Sequence, residues 1–252
     1  MVMLMHRTSS FAFAAYGLLM ALPISPAPAY GAAAVMIWPV DPVLGKEKQA
    51  EALWIQNKGA APAVMQIRIF RWTQVDGKDH YEPQQDIESS PPIASIAPGA
   101  RQMIRLSAPL AKRPEGEGTY RIIIDEVPVA SDGTARRTGV QFQMRYSVPL
   151  FTYKALTPPS DTSHQTLRCK IFNRDGKRQF RLENHGATHV RLLNIGFQEK
   201  AGLIPLENAK VSYILAGSAL AWPVPAGVSE RPTLSAVNRG SHRHEITNCV
   251  EG

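Results

Sequence analysis

Short stretches of alternating or β-branched apolar residues recur along the chain between Gly, Pro and Asn, and a helical spacing of apolar positions is hard to find. In the first half the pattern predicts strands at Val35–Val40, Glu51–Gln56, Val64–Trp72, Arg101–Leu106, Tyr120–Val127 and Val140–Phe151. Asn57-Lys58-Gly59, Asp76-Gly77, Pro98-Gly99 and Asp132-Gly133 supply the turns, because Gly and Asn accept the backbone angles of tight reversals. Thr157-Pro158-Pro159-Ser160-Asp161 then reads as a linker, since proline cannot donate to the ladder of a central strand. A second series follows at Thr166–Phe172, Gln179–Glu183, Val190–Phe197, Lys210–Leu215, Ala219–Val224 and Glu245–Val250, with hairpin turns at Asn173–Gly176 and Asn184-His185-Gly186.

The chain is therefore all-β. About seven short strands in some 120 residues suit an immunoglobulin-like sandwich, and the series runs twice, so two such sandwiches are expected. The expected division is residues 1–32 as a leader, 33–155 as the first sandwich and 160–252 as the second. No sequence repeat between the halves stands out, and the cysteine-tryptophan-cysteine pattern of antibody domains is missing.

The leader assignment rests on a weakly basic start at His6 and Arg7, an apolar run from Phe11 to Leu22, and small residues at Ala27, Ala29, Ala32 and Ala34. That run is short for roughly 30 Å of hydrocarbon. Export with removal of the leader is expected, without stable membrane insertion. In an exported chain the two cysteines, Cys169 and Cys249, are free to pair, and the resulting loop would be worth at most about 4.5 kcal/mol on the chain-entropy argument. The alternative is two buried free thiols. The net charge of +7 suits acidic partners or surfaces, but the basic residues are scattered through the strands, and no dense basic run with interleaved aromatics points to nucleic acid.

The stretch GVQFQMRYSVPLF from Gly139 to Phe151 is the most informative. Val140, Phe142, Met144, Tyr146 and Val148 fall on one side of an extended chain, and Gln141, Gln143, Arg145 and Ser147 on the other. Strands commonly run about five or six residues, so this alternation is long. Taken alone, such a strand can simply bury one face in its own sandwich.

Three stretches resemble the periplasmic pilus-assembly chaperones: Ser90-Pro91-Pro92-Ile93 leading to the run Ala97 to Leu106, then YRIIIDEVP from Tyr120 to Pro128, then the alternating strand itself. Arg181-Leu182-Glu183-Asn184 followed by Val190 to Gly196 resembles the corresponding hairpin of the family's second domain. Ile37-Trp38-Pro39-Val40-Asp41-Pro42 and Arg145 to Phe151 are most similar to the archaic, or alternate, branch. The resemblance runs from about Val35 to Val250. It implies a boomerang of two sandwiches that shelters pilin subunits by donor-strand complementation and passes them to an outer-membrane usher in the periplasm. In that mode Val140, Phe142, Met144, Tyr146 and Val148 would enter the open groove of an incomplete pilin. The Pro91-Pro92 and Pro98 region would cover the donor edge until the partner arrives.

Better-known branches grip the pilin's terminal carboxylate with an Arg on the first strand and a Lys on the donor strand. Here Asp41 and the segment Ser147 to Pro149 occupy those places, and none carries positive charge. Arg121, a charge set between Tyr120 and Ile122, is the candidate substitute, with an internal salt bridge to Asp125 or Glu126, or simple solvent exposure, as the alternatives. Arg145 is the second candidate, its alternative a solvated edge charge.

No phosphate loop, nucleophile elbow or zinc-helix motif occurs, and the adjacent Asp125 and Glu126 face opposite ways in a strand. His242 and His244 are spaced to share a strand face but sit among Arg239 and Arg243, which disfavour a metal cation. The expectation is a non-enzymatic protein with no cofactor and no metal. Two competing readings are a pilus structural or adhesive subunit, which needs an apolar N-terminal extension, and an exported carbohydrate-binding sandwich, which needs exposed platforms from Trp38, Trp54, Trp72 or Trp222.

Overall fold

A computed structural model describes residues 34–128, 143–160, 163–207, 209–237 and 243–251. In chain order the strands are β1 (Val35–Trp38), β2 (Val43–Leu44), β3 (Ala50–Asn57), β4 (Ala63–Val75), β5 (Lys78–Pro83), β6 (Glu88–Ser90), β7 (Ile93–Ile96), β8 (Arg101–Ser107), β9 (Glu117–Val127) and β10 (Arg145–Tyr153). The second half adds β11 (Leu167–Arg174), β12 (Lys177–Asn184), β13 (Val190–Glu199), β14 (Gly202–Pro205), β15 (Val211–Ile214), β16 (Ala219–Pro223), β17 (Thr233–Val237) and β18 (Arg243–Glu251).

The first sandwich faces a sheet ordered β1-β3-β8-β6 against one ordered β2-β10-β9-β4-β5, with β7 also on β4. Period-two alternation builds its core. Tyr120, Ile122 and Ile124 point inward from β9, Ile104 and Leu106 from β8, Leu53 and Ile55 from β3, and all are fully buried. Pro91 and Pro92 lie where the chain leaves β8's sheet at β6 and joins β4's sheet at β7. They make a crossing between layers, two strands away from β10, and so do not cover its edge. Pro98 belongs to the turn between β7 and β8, whose Gly99 and Ala100 pair with Asn57 at the end of β3.

In the second sandwich the order is β14-β13-β17-β18-β11-β12-β16, with β15 also on β13. Strand β18 joins the layers, antiparallel to β17 at one end and parallel to β11 at the other. Cys169 and Cys249 are directly opposed in that parallel pairing and form a disulfide inside the core. Phe180 anchors the same core, meeting Phe197 edge-on and stacking on Trp222 with ring centroids 5.1 Å apart in both cases.

A repeat that the residue pattern conceals emerges in the turns. Asn57 donates its amide to the carbonyls of Ala61 and Ile96, accepts from the Gly59 N–H, and pairs by its backbone with Gly99 and Ala100. Asn184 does the same with Thr188, Ile214, Gly186, Gly217 and Ser218. Gly99 and Gly217 hold φ of 74° and 67°, which a side chain would strain. One buried asparagine thus ties three segments together in each sandwich.

Arg113 is another buried polar clasp, 3% exposed, and among the described residues it forms no salt bridge with a carboxylate. Its guanidinium donates to the carbonyls of Ala108, Leu44, Gly45, Tyr153 and Lys48. These contacts fasten β2 and its following loop to the end of β10. Arg113→Met is expected to lower unfolding stability by about 3 kcal/mol or more, read from urea denaturation, because several buried carbonyls lose their donor together.

Candidate partner-binding site

Strand β10 pairs with β9 in unbroken register from Arg145 opposite Asp125 to Tyr153 opposite Glu117. On its other side β2 meets it only at Phe151 and Thr152. Among the described residues no strand lies along the outer edge of β10 from Arg145 to Leu150. This edge presents unpaired backbone groups to any extended segment that approaches.

The two faces of β10 have different surroundings. Val148 is 7% exposed and Leu150 fully buried, both in the first sandwich's own core, and Tyr146 packs against that core with its hydroxyl at the Val35 backbone. Tyr146 and Val148 therefore do not follow the expectation that the alternating residues leave their parent domain. The same parity that would aim them at a partner aims them at β1, β3 and β8 first. Met144, just ahead of the strand, is 40% exposed. Val140 and Phe142 lie outside the described residues.

The opposite face of β10 turns to the second sandwich. Phe151 and Tyr153, fully buried, join Trp72 of β4 and Tyr213 and Leu215 of the second sandwich in a separate apolar cluster. Polar groups reinforce this junction. The Gln74 side chain donates to the Tyr213 carbonyl and accepts from the Leu215 N–H, mimicking one rung of a β-ladder. The buried Glu117 carboxylate accepts from the Tyr153 hydroxyl at 2.6 Å and from both the backbone N–H and ring Nδ1 of His189 at 2.7 Å. The His189 ring stacks on Phe151 with centroids 3.6 Å apart. Asp41 meets Arg191 across the same junction at 3.6 Å.

Arg121 stands on this outward face, opposite Phe70 and Pro149. Its guanidinium lies 3.8 Å above the Trp72 ring and 5.5 Å from that of Tyr213, in the wall of a cleft of about 230 Å³ that Gln74, Asp79 and Trp222 also line. Burial lowers its pKa, opposed by Tyr81, Asp79 and Tyr213, and its Nε is buried without a hydrogen-bond acceptor. Among the described residues Asp79 forms no ion pair with Arg121, and its carboxylate accepts hydrogen bonds from Trp72, Gln74 and Tyr81. Burial and this carboxylate raise the pKa of Tyr81. The guanidinium is stacked on aromatic rings and hydrogen-bonded to Tyr81, and only its Nε lacks an acceptor, an arrangement that suits an incoming anion.

Arg145 is placed differently. Its side chain is 67% exposed and paired with Asp125, which also accepts from Arg68 at 2.6 Å. Burial raises the pKa of Asp125, but hydrogen bonds from Arg145 and Arg68 outweigh it and lower the net value. The structure thus assigns Arg145 to a surface ion pair, and Asp125, weighed as a partner for Arg121, serves Arg68 and Arg145 instead. Of the four tryptophans, Trp72 is fully buried, Trp222 covers Phe180, and the half-exposed Trp38 and Trp54 stack on each other at 6.3 Å.

Two sandwiches joined by a packed junction, the first ending in a strand with an open edge, make a scaffold suited to strand addition. Residues 36–154 match the family described as pili and flagellar-assembly chaperone, PapD N-terminal domain, and the chain is similar to the periplasmic chaperones of the chaperone-usher pathway. No curated protein sequence matches it. Among solved structures it is similar to a chain of the CsuC–CsuE chaperone–tip adhesion subunit pre-assembly complex from the archaic Csu pili of Acinetobacter baumannii, at 29% identity and TM-score 0.67, covering 87% of this chain and 100% of that one. The Salmonella enterica SafA pilin–SafB chaperone complex (13% identity, TM-score 0.62, 86% and 95% covered) and the Pseudomonas aeruginosa CupB2 chaperone (14%, 0.57, 83% and 97%) share the fold.

The two ends of the alternating stretch should respond differently to substitution. Val148→Ala is expected to cost the free protein about 2 kcal/mol of unfolding stability, and Met144→Ala less than about 0.5 kcal/mol, compared by urea titration. At the junction, Glu117→Ala should cost about 3 kcal/mol in the same measurement, since three buried donors lose one acceptor.

Proposed function

We propose that this chaperone completes an unfinished pilus subunit along the open edge of β10, with the apolar positions ahead of the strand filling the subunit's groove and Arg121 holding its terminal carboxylate. The protein is a periplasmic chaperone that stabilises pilus subunits and delivers them to an outer-membrane usher, and it is not an enzyme. In this reading residues 1–32 are removed on export, 33–155 form the donor sandwich and 160–252 the second one.

The observation that carries the reading is the combination on β10: an unpaired edge from Arg145 to Leu150, with the exposed Met144 leading into it and the Arg121 cleft on the adjoining strand. Val140, Phe142 and Met144 share a parity, so an extended chain would present all three to one groove. Each, if fully buried there, would contribute roughly 1.5 to 3 kcal/mol before ordering costs. Tyr146 and Val148 then act from inside, gluing the donor strand to its parent while its leading part is lent out. Arg121 is held against Trp72 and Tyr213, so a carboxylate reaching it would touch both sandwiches.

Co-expression with a pilin from the same system tests both parts. Phe142→Asp with Met144→Asp should abolish recovery of the pair while the free protein stays folded. Arg121→Ala should weaken the pair by about tenfold or more, and Arg145→Ala should leave it unchanged. Undiminished subunit protection by the Asp double variant would refute the donor role.

A further inference from the structure

Like charges face one another across the β11–β12 hairpin. Its inward positions, Cys169, Ile171, Phe180 and Leu182, are buried in the second core. Its outward positions pair Arg168 with Glu183, Lys170 with Arg181, Phe172 with Gln179, and Arg174 with Lys177. Two of these four directly opposed pairs join cation to cation, an arrangement that weakens a ladder. Nothing in the folding of the hairpin calls for it.

The cations also lack adequate counter-charge. Glu183 is the one carboxylate among those outward positions, and it is shared by Lys170 at 3.9 Å, Arg181 at 3.2 Å and His185 at 3.3 Å. Asp175 in the turn lies 4.0 Å from Arg174, with both side chains largely in water. Lys170, Arg181 and Arg174 are 51%, 54% and 76% exposed. On one flank β16 contributes only Ala219, Ala221 and Pro223 opposite Glu183, Arg181 and Gln179. On the other, Val250 lies opposite Lys170. The result is a flat floor of small side chains with five cations standing on it.

We infer that this face of the second sandwich is a docking surface for anionic phospholipid headgroups. Protein-binding patches are depleted in lysine and centred on exposed aromatic anchors. Here Phe172 is half-buried and is the one aromatic among the outward positions of the hairpin. A charged bilayer asks for no pocket and no fixed spacing, and its many phosphates can meet cations that repel each other, so a flat basic strip suffices. The contact is electrostatic and superficial. It lies on strands remote in sequence from β10 and does not rest on the donor-strand reading, and it would keep the chaperone beside the membrane in which subunits are handed on.

The test is co-sedimentation of the purified full chain with vesicles of phosphatidylcholine, alone or mixed with phosphatidylglycerol, at low and high salt. The chain should pellet only with the anionic vesicles and be released by salt. Lys170→Glu with Lys177→Glu turns both like-charge pairs into opposite-charge pairs. This variant should unfold at the same or a higher temperature, still capture pilin, and bind anionic vesicles at least about 30-fold more weakly. Equal vesicle binding by the variant, or none by the native chain, overturns the inference. So does a lower unfolding temperature, which would make the cations structural, or binding to polyglutamate in preference to vesicles, which would make the partner an acidic protein.

Discussion

The pairing of β10 with β9 sets the terms for the rest of the molecule. One register, nine residues long, sends Tyr146, Val148 and Leu150 into the first core and Phe151 and Tyr153 into the junction with the second sandwich. It also places Arg121 beside Pro149 at the cleft. A slip of one residue would exchange the two faces, exposing the core set and burying Arg145 and Ser147. The register is therefore protected by both sandwiches at once, and among the described residues no strand pairs with the outer edge of β10 from Arg145 to Leu150.

The junction explains why the cleft can be a defined site. Buried polar groups are costly unless satisfied, and here they are matched closely: Glu117 receives three donors, and Gln74 offers its amide to one carbonyl and one N–H of the second sandwich. Aromatic packing of Trp72, Phe151 and Tyr213 surrounds them. Because Trp72 comes from the first sandwich and Tyr213 from the second, the ring cradle of Arg121 exists only while the two halves stay docked. Stability at the junction and geometry at the cleft are one property.

Much of this was legible in the residues. Each expected strand overlaps an observed one among the described residues, the expected Val140–Phe151 appearing there as β10 from Arg145, and the strands that went unread are the two-residue β2, the wholly exposed β5 of Lys78–Pro83, and the short β6, β7, β14 and β17. Arg121 stood out as a lone charge in an apolar run, but its cradle comes from residues distant in the chain, and no local pattern announces Tyr213. Periodicity could not say whose core Tyr146 and Val148 would fill, since a period of two reports a face and not its owner. The asparagine clasps were visible only as Asn-x-Gly turns. Their equivalence lies in which carbonyls they reach, Ile96 and Ile214, and that is a property of the fold.

An open edge beside a large core invites self-association, and the sequence of β10 limits that hazard in ways that also shape recognition. Pro149 removes one N–H from the strand, so no uninterrupted ladder can form along the whole edge. Arg145, held by Asp125, puts charge at the other end. A second copy of this chain docking edge to edge would gain only a broken ladder, whereas a subunit with an unfilled groove would gain backbone pairing and apolar burial ahead of the strand. The discrimination is thus between partners that need only hydrogen bonds and partners that also need a core, and the edge rewards the latter.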